Sequence, residues 1–191
     1  EVLEAFANTK IPSLKSLRLE ANVADMTQQF IRTMGESFPY LEEYIGDFNI
    51  HERDNELSSF NVFLDAFPHL ATLELLESHY EFIPGRIYPN MKKLNLWCET
   101  SEINISAQLI KSMPNLEEIQ IENMVPRYST LRAILKSKIT KINIKISSVE
   151  DISEKRLKKI EKIASRIMDK GDECSIEFPD EDGDIMFGYF F

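Results

Sequence analysis

One short phrase returns along this chain and limits what it can fold into. Ile11-Pro12-Ser13-Leu14-Lys15-Ser16-Leu17-Arg18-Leu19 is matched by Phe67-Pro68-His69-Leu70-Ala71-Thr72-Leu73-Glu74-Leu75, by Tyr88-Pro89-Asn90-Met91-Lys92-Lys93-Leu94-Asn95-Leu96 and by Met113-Pro114-Asn115-Leu116-Glu117-Glu118-Ile119-Gln120-Ile121. A degenerate copy starts at Phe38-Pro39-Tyr40-Leu41-Glu42-Glu43-Tyr44, with Gly46 in place of the last apolar residue, and a proline-free copy runs through Ile139, Ile142 and Ile144. The first apolar positions, 14, 41, 70, 91, 116 and 139, are separated by 27, 29, 21, 25 and 23 residues. Units this short, repeated in series, stack on their neighbours, because none can bury its own apolar face.

Within the phrase, apolar residues alternate, which sends every second side chain to one face of a short strand. The segments between strands read as helices. Asp25 to Met34, Asn55 to Ala66, Ser106 to Met113 and Tyr128 to Lys136 carry apolar residues three or four apart, and Asp25, Asn55 and Ser106 read as N-caps. The proline at each strand start stops the preceding helix and biases its predecessor to extended geometry. Ser78 to Tyr88 belongs to the shortest repeat and holds Pro84 and Gly85, so a turn or short 3₁₀ piece is expected there.

In these features the chain resembles leucine-rich-repeat proteins, whose LxxLxLxxN phrase is matched by Leu14, Leu17, Leu19 and Asn22. Ser78, Glu99 and Met124 stand where the asparagine falls in later copies, so an unbroken amide ladder is not expected. The resemblance covers most of residues 3 to 146. It implies an α/β solenoid of about six to seven irregular repeats, with a parallel sheet on the concave face and helices on the convex face. Residues 1–191 then form a single domain, closed by a C-terminal helix and capping strands over about 149–191. Glu1 is not Met and Val2 to Phe6 read as the end of a helix, so the chain is expected to be a piece of a longer protein.

Beyond the repeats, Ser153 to Lys170 is the longest helical pattern, with Leu157, Ile160, Ile163, Ala164, Ile167 and Met168 on one face and many cations elsewhere. It reads as a terminal helix covering the last repeat. Gly171 stops it, Cys174 to Phe178 reads as a last strand, and Ile185 to Phe191 as a strand or cap against the final sheet edge. The acidic Pro179 to Asp184 segment lacks the spacing of a calcium loop and reads as a solvated turn.

Chemistry is hard to find. Walker A, GxGxxG, GxSxG and HExxH phrases are absent, and the six glycines are scattered. His51, His69 and His79 lie in different repeats, and nothing in the order of Ser78, His79 and Asp54 assembles a catalytic set. Asn104-Ile105-Ser106 matches a glycosylation triplet, but Ser106 already serves as a cap. Cys98 and Cys174 are far apart without CxxC spacing, which argues against a disulfide framework or zinc and fits cytoplasm or nucleus. No catalytic residue, cofactor, metal or small-molecule substrate is expected. The net charge of −10 disfavours nucleic acid, and no stretch is long and apolar enough for a bilayer span.

Binding is therefore the expected activity, and the strand register says where. Residues facing away from the helices fall into columns: Ser16, Glu43, Thr72, Lys93, Glu118, Lys141; then Arg18, Ile45, Glu74, Asn95, Gln120, Asn143; then Glu20, Asp47, Leu76, Trp97, Glu122, Lys145. Ile45, Leu76 and Trp97 come from consecutive repeats and are expected to form an apolar island in a polar face. Trp97, the single tryptophan, reads either as an interface hot spot or as a ring lying against its own descending loop or a domain outside this chain. The candidate partner-binding residues are Ile45, Glu74, Leu76, Lys93, Asn95, Trp97, Gln120 and Glu122. With carboxylates dominant and lysines toward the C-terminal end, the face suits a basic or bipolar peptide of a protein partner. The irregular periods and strand-start prolines most resemble the intracellular repeats of F-box proteins, which implies substrate recruitment for ubiquitination. The alternative is an adaptor or scaffold without a ligase role, such as a nuclear one in a ribonucleoprotein pathway.

Overall fold

The computed structural model describes residues 2–19, 27–47, 60–76, 82–97, 106–123, 126–146, 153–171, 173–179 and 185–186. Seven strands, β1 (Ser16–Leu19), β2 (Glu43–Asp47), β3 (Thr72–Leu76), β4 (Lys93–Trp97), β5 (Glu118–Glu122), β6 (Lys141–Lys145) and β7 (Cys174–Pro179), lie side by side in chain order. All are parallel, and β8 (Ile185–Met186) adds antiparallel to β7. The phrase at 139–144 forms a strand although it has no proline.

Register follows the repeat without a slip. Leu17, Tyr44, Leu73, Leu94, Ile119 and Ile142 form one row, Arg18, Ile45, Glu74, Asn95, Gln120 and Asn143 the next. A one-residue shift would turn every apolar side chain to water. The first row is buried, as is the row at Leu75, Leu96, Ile121 and Ile144, and Leu41, Leu70, Met91, Leu116 and Ile139 seal the strand starts. Gly46 is the exception in the second buried row. A Cβ there would sit 2.5 Å from the Leu19 carbonyl oxygen, and the ring of fully buried Tyr44 supplies the missing volume, its hydroxyl 3.2 Å from that position.

Over the buried face lie α1 (Val2–Ala7), α2 (Gln28–Ser37), α3 (Phe60–Ala66), α4 (Ala107–Ser112), α5 (Tyr128–Lys136) and α6 (Glu154–Met168). Thr27, rather than Asp25, caps α2: its hydroxyl accepts the Phe30 N–H at 3.1 Å, and the helix runs past Met34 to Ser37. Asp25 and Asn55 lie outside the described residues. Ser106 caps α4 as its sequence position suggests, accepting from Leu109 N at 3.3 Å. An aromatic cluster joins helices to sheet, with Tyr44 edge-on to Phe63 at 4.7 Å and Phe63 against Phe67 at 4.9 Å.

The prolines do more than end helices. Each occupies the second position of a turn whose first carbonyl accepts from the first apolar residue of the phrase, as in Leu41 N to Phe38 O at 3.1 Å and Leu70 N to Phe67 O at 3.0 Å. The turns are stitched together: Asn90 Nδ2 donates to Pro68 O and Asn115 Nδ2 to Pro89 O, both at 2.8 Å. Where the proline is missing, Ser137 Oγ bonds Ile134 O, and the Lys170 ammonium caps the carbonyls of Ile134, Ser137 and Ile139.

Among the described residues the helix row is interrupted once. α1, α2 and α3 touch in succession, as do α4, α5 and α6, whereas α3 and α4 are separated by the non-helical segment at 82–92. Buried Asn61 on α3 holds that segment: its Nδ2 donates to Ile83 O and Tyr88 Oη, and its Oδ1 accepts the Ile83 N–H at 2.7 Å. Burial pushes the Tyr88 phenol above its ordinary pKa. Pro84 and Gly85 form a turn there, as expected.

Two outcomes are expected. Gly35→Ala should raise the helix propensity of α2 yet destabilise the fold by about 1–3 kcal/mol, because its Cβ would meet Ala66 O at 2.4 Å; thermal melting should show a lower midpoint. Asn61→Ala should strip Ile83 of its partner, and hydrogen exchange should show that amide losing protection while Leu73 and Leu94 keep theirs.

Candidate binding face

One face of the sheet is covered by helices and the other carries half-exposed polar side chains. Those side chains hold one another across strands. Ser16 Oγ donates to Glu43, Asn95 Nδ2 to Glu74 Oε2 at 3.2 Å, and Lys93 pairs with Glu118 at 2.7 Å. Strands about 4.8 Å apart bring such neighbours together without any sequence proximity.

Near the middle of this face, Glu74, Asn95, Trp97, Gln120 and Glu122 line a depression of about 90 Å³ whose floor is formed at Leu75 and Leu96. Five of the eight residues expected from the sequence to bind a partner thus lie together. Ile45 is register-paired with Glu74, one outward row from Trp97, and does not line the depression. Leu76 pairs in register with Asp47, and its side chain lies outside the described residues. Lys93 is on the same face, engaged with Glu118 and not lining the depression.

The depression holds an imbalance of donors and acceptors. Glu74 takes the amide donor of Asn95, while Gln120 Nε2 donates to Glu122 Oε1. Asn95 Oδ1 is left buried with no donor. Reversing the amide would set that oxygen against the Glu74 carboxylate, so the orientation is fixed by charge. An uncompensated buried acceptor costs stability of the order of 1–3 kcal/mol.

On the helix side, a groove of about 260 Å³ marks the interruption between α3 and α4, beside exposed Ile87. Its polar groups are already engaged: Asp65 pairs with Arg86 and accepts from Tyr88 Oη, and the Asp65 hydrogen bond holds the Arg86 guanidinium above its usual pKa. His69 lies tilted against Tyr40, ring centres 5.3 Å apart, in the strand-start turns. Cys174 donates to Thr140 O, and burial pushes its thiol pKa up. Among the described residues no group of three His, Cys, Asp or Glu side chains is placed to hold a metal ion. Residues 51, 54, 78, 79 and 98, the triplet at 104–106 apart from Ser106, and the acidic loop after Pro179 lie outside the described residues. Among the described residues no helix is long and apolar enough to cross a membrane.

The chain matches no protein-family model, no curated protein and no solved structure.

Neighbouring residues of β4 test the assignment of the two faces. Asn95→Leu removes the unpaired acceptor and should leave the thermal midpoint within about 2 °C or raise it. Leu94→Asn, one position earlier and fully buried, should cost more than about 3 kcal/mol.

Proposed function

We propose that this chain is a leucine-rich-repeat solenoid acting as a protein-binding module, whose open sheet face holds a segment of a partner protein. The observation that carries the reading is the pairing of two faces in one register: each strand from β1 to β6 buries its apolar row on the helix side and turns a largely polar, partly to fully exposed row outward. Seven adjacent strands make that outward row continuous, a surface suited to extended recognition. Its centre combines Trp97 with carboxylates and amides, the mixture of aromatic and polar groups from which interface hot spots are built.

Recognition rather than catalysis is the proposed activity, and the cytoplasm or nucleus its proposed site. The resemblance to the repeats of F-box proteins gives the partner the role of a ubiquitination substrate. In the adaptor reading, the same face holds a component of an assembly.

The test is affinity purification from cells with the wild-type chain, a Trp97→Ala/Glu74→Lys chain and a Lys159→Glu control on exposed α6. A partner carried by the open face should weaken at least about thirtyfold in the double variant and remain with the control, while circular dichroism and melting stay unchanged. Retention of every partner by a folded double variant would sink the reading.

A further inference from the structure

We infer that the depression around Asn95 is a socket for one arginine side chain of the partner, a refinement that rests on the binding face proposed above. Its walls come from three strands. Glu74 stands on β3, Asn95 and Trp97 on β4, Gln120 and Glu122 on β5, so acceptors are spread across two strand spacings, roughly 10 Å. Two carboxylates set the charge. The Asn95 amide has its donor end on Glu74 and its oxygen buried without a hydrogen-bond partner, so a donor that turns this side chain outward would gain an otherwise unused acceptor.

Resident cations do not supply that donor. Lys93 is bound to Glu118, and Lys145, register-paired with Glu122, makes no ion pair among the described residues and does not line the depression. A guest must therefore bring positive charge, several donors pointing in different directions, and a flat surface for the Trp97 ring. Guanidinium has five donors in a planar fork and stacks on indole, whereas ammonium is a compact, strongly hydrated point charge. Spread acceptors beside an aromatic ring favour the fork.

Because Trp97 is the single tryptophan of the chain, its emission reports on this place alone. The intact chain is titrated with N-acetyl-arginine methylamide and, in parallel, with the lysine and citrulline counterparts, all at matched ionic strength. A saturable change is expected with arginine, at least about tenfold weaker binding with lysine, and no saturation with citrulline, which keeps the shape and loses the charge. Glu74→Gln/Glu122→Gln should abolish the arginine response. Equal responses to arginine and citrulline, or an undiminished arginine affinity in the double variant, overturn the socket; the wild-type comparison decides even if the variant melts early.

A second arm separates this inference from the reading beneath it. Random dodecapeptides are selected on the wild-type chain and counter-selected on Trp97→Ala. Face-dependent peptides enriched in arginine support the socket. Face-dependent peptides without arginine overturn it and leave the binding face standing, while an absence of face-dependent peptides counts against the binding face itself.

Discussion

Strands β2 to β6 are each set by one carbonyl just ahead of the strand before. Lys15 O accepts the amides of Glu42 and Glu43, Glu42 O those of Ala71 and Thr72, Ala71 O those of Lys92 and Lys93, Lys92 O those of Glu117 and Glu118, and Glu117 O those of Thr140 and Lys141. Five successive forks, all at the strand start, leave no freedom in register. From that register follow the continuous apolar rows, the continuous polar rows and the placement of the depression. Loss of one fork would displace a whole row, because side-chain direction alternates residue by residue.

The rows were legible because they depend on a period of two inside a phrase that repeats six times. Leu17, Leu73, Leu94, Ile119 and Ile142 reveal themselves by recurrence, and Arg18, Glu74, Asn95 and Gln120 follow as their outward neighbours. Features made by single side chains reaching across repeats left fainter marks. Asn61 stands on the apolar stripe of α3, between Phe60 and Phe63, and a polar residue there is the only sequence sign of the pin on Ile83. Thr27 prevailed over Asp25 as a cap because capping depends on which residue adopts extended geometry beside the helix, and both have suitable side chains. Lys170, thirty-one to thirty-six residues from the carbonyls it caps, carries no local signal at all.

The candidate face was legible to the same depth. Column reading placed five residues around one depression, with Ile45 one row aside and Lys93 turned to Glu118. The orphaned Asn95 oxygen was beyond reach, since it depends on which way two amides turn toward two carboxylates. Net charge also hides the local balance. A total of −10 is shared unevenly, and what a guest meets is the particular arrangement of Glu74, Glu122, Lys93 and Lys145.

The interruption between α3 and α4 gives the molecule a seam. On either side, helices pack on helices and the repeats support one another through two layers; at 82–92 the coupling passes through the sheet and a thin bridge. Tyr88 spans that bridge, its amide bonded to Ser112 O at the end of α4 and its hydroxyl to Asn61 and Asp65 of α3. In a linear array each unit is only as firm as its contacts with its neighbours. Force or denaturant applied to this one should find two cooperative blocks, parting where a tyrosine does the work of a helix.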